Sequence, residues 1–220
     1  MNYYSQYGQD EYLDSSIFNK KENGIFLDIG AYDGKRLSNT CFFEKERNWK
    51  GICFEPNPRI YNELIKNRSC TCINGAVSNQ EGSFDFLDLE GVEVLGGLVS
   101  KYDSRHLERI DVDFKKYEGK SRQVIKVNCF DVNKVIKDSG FIHIDYCSID
   151  TEGGELDILK SINLNDINIK VFSVENNFPE KNKWKKYWKD FRGKTVEGYL
   201  KKYGYKKVKD MVSDEIFVKY

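Results

Sequence analysis

Five short stretches of this 220-residue chain run from apolar residues into carboxylates or small polar residues. The first is Ile25-Phe26-Leu27, followed by Asp28, Gly30, Ala31, Asp33 and Gly34. The second ends in Glu55-Pro56-Asn57 and the third in Ala76-Val77-Ser78. The fourth ends in Asp150-Thr151-Glu152-Gly153-Gly154-Glu155 and the fifth in Glu175-Asn176-Asn177. Glycine lets backbone approach a ligand closely. A carboxylate ending the second strand, about 20 residues beyond the glycines, can accept both hydroxyls of a ribose. Carboxylates at the later tips can orient or deprotonate a hydroxyl, or hold a hard divalent cation.

An adenosine-containing cofactor is therefore the expected guest of the first two tips. A dinucleotide calls for Gly-x-Gly-x-x-Gly, with its pyrophosphate on a helix N-terminus. Here Tyr32 replaces the second glycine of that pattern, and Asp33 would face the pyrophosphate. S-adenosylmethionine carries no phosphate, and its sulfonium and amino groups are cationic. Asp28 and Asp33 attract such a ligand and repel a dinucleotide.

The tips require strands, and hydrophobic periodicity supplies them. Strands are predicted over 25–29, 51–55, 70–77, 123–130, 141–150 and 171–175, with an exposed strand over 83–86. Helices are predicted over 9–18, 34–47, 58–67, 155–162 and 194–202, and after Phe130. The last sixteen residues read as two strands about a Ser213-Asp214 turn. Alternating strands and helices predict a parallel sheet covered on both faces, with an antiparallel edge added by the terminal hairpin. Residues from about 90 to 127 are polar and irregular, and are read as an insertion near the substrate. The whole chain, 1–220, is read as one domain opened by a helical segment over 1–22.

Lys and Arg total 35 and Asp and Glu total 35, so no net charge draws the chain to nucleic acid or anionic lipid. The apolar runs are far shorter than a membrane span, and no signal-peptide pattern opens the sequence. The six cysteines, Cys41, Cys53, Cys70, Cys72, Cys129 and Cys147, have no Cys-x-x-Cys spacing and read as reduced core residues. A cytoplasmic protein is expected.

The stretches YSQYGQDEYL (4–13), FLDIGAYDG (26–34), LSNT (37–40), NWKGICFEPNP (48–58) and SIDTEGGELDIL (148–159) together resemble the FkbM-type methyltransferases. That family is a branch of the class I S-adenosylmethionine-dependent fold. The resemblance covers nearly the whole chain and is weakest over 90–127. It implies a Rossmann-like α/β fold with a mostly parallel seven-stranded sheet. It also implies that Asp28, Gly30, Ala31, Asp33 and Gly34 line the methionine end. Glu55 would hold the ribose, Asn57 would lie near the adenine, and Ala76, Val77 and Ser78 would border the ring. Gln6, Gln9, Asn39 and Thr40 would help hold the methionine carboxylate.

Methyl transfer to a hydroxyl needs a base or a metal, because the hydroxyl pKa lies far above neutral. Asp150 and Glu152 are the expected catalytic residues, with Glu155 assigned to the first turn of a helix. Asp150, Glu175 and Asn176 form a candidate magnesium set, and a hydrogen-bonded cluster without metal is the competing reading. The resemblance points to a sugar, a nucleotide sugar or a similar polyhydroxylated metabolite as acceptor, with self-association left open. RNA or protein methylation and a nicotinamide-dependent oxidoreductase are the alternatives. His143 reads as a packed strand residue. Arg105, His106 and Arg109 read as an exposed polar insert, with contact to an acidic substrate as the alternative. The run EKNKWKKYWKD (180–190) reads as a solvated helix with Trp184 and Trp188 docked, rather than as a nucleic-acid site.

Overall fold

A computed structural model describes residues 2–78, 80–102, 104–116, 119–176 and 195–220. Two sheets organise the chain. The larger has seven strands: β1 (Ile25–Ile29), β2 (Lys50–Glu55), β3 (Thr71–Asn74), β8 (His143–Ile149), β9 (Asn168–Glu175), β10 (Tyr205–Met211) and β11 (Asp214–Lys219). Their order is β10-β11-β9-β8-β1-β2-β3. The five strands from β3 to β9 pair in parallel, and β11 is antiparallel to both β9 and β10.

Side chains alternate between two apolar layers, as a sheet buried on both faces requires. Leu27, Ile29, Ile52, Phe54, Cys147, Phe172 and Phe217 pack with Val132 and Ile136 of α5 (Val132–Ser139), Ile158 and Leu159 of α6 (Glu155–Ser161), and Tyr199 and Leu200 of α7 (Val196–Leu200). Phe26, Cys53, Tyr146, Val171 and Ile216 face the other way. They meet Phe42 and Phe43 of α2 (Cys41–Arg47), Leu64 of α3 (Pro58–Asn67), and Leu13 and Phe18 near the N-terminus. There α1 (Gln9–Tyr12) continues into a π-helical turn over Leu13–Ile17. Arg47 fixes this segment through a buried ion pair, with Nε 2.7 Å from Asp14 Oδ1.

Three expectations need correction. Of the helix predicted over 34–47, only Cys41–Arg47 is helical. Tyr32, Gly34 and Leu37 adopt positive φ, which breaks a right-handed helix. The Asp33 carboxylate also accepts from the Lys35 and Arg36 amides, closing a local turn. The strand predicted over 70–77 is two strands in different sheets. Gly75 separates β3 from β4 (Ala76–Val77), where a Cβ would strike the Phe130 ring. The terminal turn falls on Val212 and Ser213, between β10 and β11, one residue earlier than read.

The polar insertion is also more ordered than its composition suggests. It belongs to a second, four-stranded sheet, β4-β7-β5-β6, built from β4, β5 (Gly82–Leu89), β6 (Gly97–Leu98) and β7 (Arg122–Phe130). Eight register pairs join β5 to β7. Ile110 of α4 (Ser104–Phe114) buries with Leu87, Leu89, Val92 and Leu95 into a small separate core. The 180–190 run and Asn177 lie outside the described residues. No described helix is long and apolar enough to cross a membrane.

Candidate active site

β1 lies between β2 and β8, so the chain leaves the sheet centre in opposite directions on either side of the β1–β8 gap. Open α/β sheets bind ligands at such a switch point, outside the carboxyl ends of the strands. A cavity of about 200 Å³ opens there. The large sheet contributes Asp28 to Tyr32, Phe54 to Pro56, Ser148, Asp150 to Gly154 and Glu175. The second sheet and its loops contribute Ala76, Val77, Phe86, Glu93, Gly96 to Leu98, Lys101 and Arg109. Gln6 and Tyr7 of the N-terminal segment and Arg36 to Asn39 of the loop before α2 also line it.

At the β1 tip, Gly30 has φ +89°, and a Cβ there would lie 1.7 Å from the Asp150 carbonyl oxygen. The Gly30 and Ala31 amides donate to the Phe54 carbonyl, which seats this turn against β2. Glu55 is buried, and its two oxygens accept from the Tyr32 and Asn57 amides at 3.0 and 2.8 Å. Burial still dominates and pushes its pKa up to about 7.

Asp28 lines the cavity, but its carboxylate accepts from Thr40 Oγ1 and lies 3.8 Å from Arg68 Nη1. Burial raises its pKa against the pull of Arg68. Asn39 also lines the cavity. Its Nδ2 donates to Ser148 Oγ at 3.1 Å, while its buried Oδ1 has no hydrogen-bond partner among the described residues. Such an orphaned acceptor suits a donor on a bound ligand.

At the other end, Asp150, Glu152 and Glu175 each place an oxygen within 4.8 Å of the others. Burial, with neighbouring Asp214 and Glu152, lifts Asp150 well above the usual carboxylate range. Burial and Asp150 do the same to Glu175. Two carboxylates so close favour sharing a proton or a cation. Glu152 adopts φ 54° and is anchored from α4, with His106 Nε2 and Arg109 Nη1 each 3.0 Å from its Oε2. Helix α4, between β6 and β7 in the chain, therefore holds part of the cluster.

Of the residues expected to hold a cofactor, the cavity wall includes Gln6, Asp28, Gly30, Ala31, Asn39, Glu55, Ala76 and Val77. It leaves out Asp33, Gly34, Thr40, Asn57, Ser78 and Gln9. Asp33 and Gly34 build the local turn, and Thr40 holds Asp28. Asn57 caps α3 and donates to Asp88 Oδ1, and the Ser78 amide donates to the Phe130 carbonyl. Gln9 Nε2 donates to Asp214, joining the N-terminal segment to the hairpin. Asn176 does not line the cavity. Its amide donates to the Ser213 carbonyl, and Glu152 takes its place beside Asp150 and Glu175. His106 is buried against Glu152 rather than exposed. The Arg105 side chain lies outside the description. Tyr7, Arg36, Ser38, Ser148 and Lys101 were not singled out, nor were Gly96 and Gly97 of the insertion, an adjacent pair that lines the cavity.

Residues 28–207 match the family described as the methyltransferase FkbM domain. The chain belongs to the FkbM methyltransferase family. The mixed α/β sheet agrees with that membership. A crystal structure of methyltransferase FkbM from Methylobacillus flagellatus KT is similar in fold, with a TM-score of 0.51 and 12% identity. The match covers 98% of this FkbM chain and 48% of that one, so the chain spans about half the length of the solved structure. No curated protein matches the chain significantly.

Proposed function

We propose that the chain is an S-adenosylmethionine-dependent O-methyltransferase acting on a hydroxyl of a sugar, a nucleotide sugar or a similar small polyhydroxylated metabolite. The supporting observation is one cavity that joins the Gly30 and Glu55 tips to the Asp150–Glu152–Glu175 cluster. Its wall carries six carboxylates (Asp28, Glu55, Glu93, Asp150, Glu152 and Glu175) against three cationic side chains (Arg36, Lys101 and Arg109). At the Gly30 and Glu55 tips, where the cofactor would sit, Asp28 and Glu55 suit a sulfonium ligand and oppose the pyrophosphate of a dinucleotide.

The residues present fit the cofactor. Glu55 can accept from ribose hydroxyls, and Phe54, Ala76, Val77 and Phe86 offer apolar surface to a flat base. The unpartnered Asn39 Oδ1 can accept from an amino group. When bound, the cofactor supplies the electrophilic methyl group. Asp150 is the group that accepts the proton of the attacking hydroxyl, and its raised pKa makes it a stronger base than an exposed carboxylate. Glu175 keeps the neighbouring charge low by sharing that proton. Glu152, fixed by His106 and Arg109, orients the acceptor. In a metal-assisted form of the same site, Asp150, Glu175 and Glu152, the last in place of Asn176, would hold magnesium, which would lower the pKa of a bound hydroxyl.

The test is transfer of labelled methyl from S-adenosylmethionine to nucleotide sugars, free sugars, RNA and peptides, with magnesium or with chelator. Label in a sugar supports the reading, and its loss with chelator supports the metal form. Label confined to RNA or protein overturns the acceptor class. Tighter binding of NAD(H) than of S-adenosylhomocysteine would overturn the cofactor.

A further inference from the structure

Of the three cationic side chains in the cavity wall, two already have carboxylate partners. Lys101 Nζ lies 2.7 Å from Asp157 Oδ2, and Arg109 Nη1 lies 3.0 Å from Glu152 Oε2. No carboxylate pairs with the third, Arg36, among the described residues. Acids of the same region are engaged elsewhere. Asp28 accepts from Thr40 Oγ1, and Glu93 pairs with Arg59 at 2.9 Å. Asp33 Oδ1 accepts from the Lys35 and Arg36 amides.

The loop holds Arg36 in place. Its guanidinium carbon lies 5.3 Å from the centre of the Tyr32 ring, a cation–π contact that orients the planar group. The Tyr32 amide donates to Glu55, so this stack belongs to the cofactor end of the cavity. The neighbouring Leu37 forms a parallel bridge with Ser5 of the N-terminal segment, which fixes the backbone from the other side. The same loop carries Asn39, which is buried, lines the cavity and leaves Oδ1 without a hydrogen-bond partner among the described residues. Residues 36 to 39 thus offer a cation and an acceptor side by side. An amino-acid zwitterion presents the complement, a carboxylate and an ammonium on one carbon. A guanidinium fork meets a carboxylate with two parallel hydrogen bonds, and an amide oxygen accepts from an ammonium.

We propose that Arg36 binds the α-carboxylate of the cofactor's methionine, with Asn39 Oδ1 accepting from the α-ammonium beside it. The inference rests on the S-adenosylmethionine reading above and assigns the residue that recognises the one anionic group of that cofactor. Of the residues that the family resemblance gave to the carboxylate, Gln9 is engaged with Asp214 and Thr40 with Asp28. Arg36 supplies the charge that none of them carries.

The test is calorimetric titration of the unmodified protein and of Arg36→Gln with S-adenosylhomocysteine, its decarboxylated analogue S-adenosylthiopropylamine, and methylthioadenosine. The second ligand keeps the amino group and lacks the carboxylate, and the third lacks both. The unmodified protein should prefer S-adenosylhomocysteine to the decarboxylated analogue by about tenfold or more, as one charge-assisted pair implies. Arg36 is exposed, so Arg36→Gln should fold, and it should erase that preference while methylthioadenosine binds as before. Arg36→Lys, with the charge but not the fork, should recover part of it. Equal affinity of the unmodified protein for the first two ligands would overturn the proposal. So would an Arg36→Gln variant that weakens all three alike, which would make Arg36 structural. Unchanged S-adenosylhomocysteine affinity with a raised KM for a phosphorylated sugar would give the guanidinium to an anionic acceptor instead. A protein that binds none of the three ligands loses the cofactor reading as well, whereas one that binds them without dependence on Arg36 loses this inference alone.

Discussion

Gly30 and Asp150 meet backbone to backbone just beyond the paired ends of β1 and β8. The missing Gly30 side chain leaves room for the Asp150 carbonyl oxygen, 1.7 Å from where a Cβ would sit. The opposing atom is backbone and cannot swing away, and φ is +89°. Gly30→Ala must therefore separate the two tips or strain both. Its expected cost is about 3 kcal/mol or more, from clash plus left-handed strain. Urea unfolding with S-adenosylhomocysteine titration checks it: stability and ligand affinity fall together. A variant of unchanged stability that binds normally would refute the contact.

Glu55 predicts a pH dependence. Its folded pKa of about 7 exceeds the ordinary 4.5, so between these values the folded state holds more protons than the unfolded state. Stability from this group is present below about pH 4.5 and is lost as pH rises through 7. The loss is roughly 3 kcal/mol by linkage. Glu55→Gln removes that dependence but keeps a neutral side chain of similar shape. The difference in unfolding free energy between the two proteins, measured from pH 5 to 8, should move in favour of Glu55→Gln as pH rises. A constant difference would contradict a buried, titrating Glu55.

The main tips were legible because their signals are local. Ile25–Ile29 and Pro58–Asn67 were predicted with their observed limits, one by an apolar run and the other by proline at the first turn and an apolar stripe. Asp150 and Glu175 were legible as acids ending buried strands. The loop before α2 was not, because left-handed Tyr32 and Leu37 have no sequence signature. Nor was the second sheet, whose pairs, such as Leu89 with Arg122, join distant polar segments. His106 and Glu152 are 46 positions apart, and only the fold shows that they touch.

Asp150→Asn separates catalysis from stability. The native pair Asp150 and Glu175 is held above the usual carboxylate range, so both carboxylates weaken the folded state as pH rises. Replacing one with a neutral amide relieves its partner. At pH 8, unfolding free energy should be unchanged or higher, while methyl transfer falls about 100-fold or more. Parallel measurement of both at one pH decides it. A large loss of stability would mean that Asp150 is structural.

Arg109→Ala tests the grip of α4 on Glu152. Removing the Arg109 guanidinium, 3.0 Å from Glu152 Oε2, loosens an orienting carboxylate without touching Glu55 or Gly30. The expected result is a fall in kcat of about tenfold with S-adenosylhomocysteine affinity retained. Loss of affinity with kcat intact would place Arg109 on the cofactor side instead.

Arg68 is the cation on which several buried groups depend. Its side chain is fully buried, pairs with Glu44, lies 3.8 Å from Asp28, and donates to Thr40 Oγ1 and the Gly34 carbonyl. Arg68→Ala leaves the buried Asp28 and the half-buried Glu44 without their counter-charge, an arrangement that costs about 3–5 kcal/mol. The exposed pair of Lys21 with Asp145 makes the contrast, since Lys21 is 43% exposed. Lys21→Ala should cost less than about 1 kcal/mol, because water screens such a pair. Unfolding of both variants in urea at pH 7 measures the difference. If their costs were equal, Arg68 would not be the centre that ties β1, α2 and α3 together.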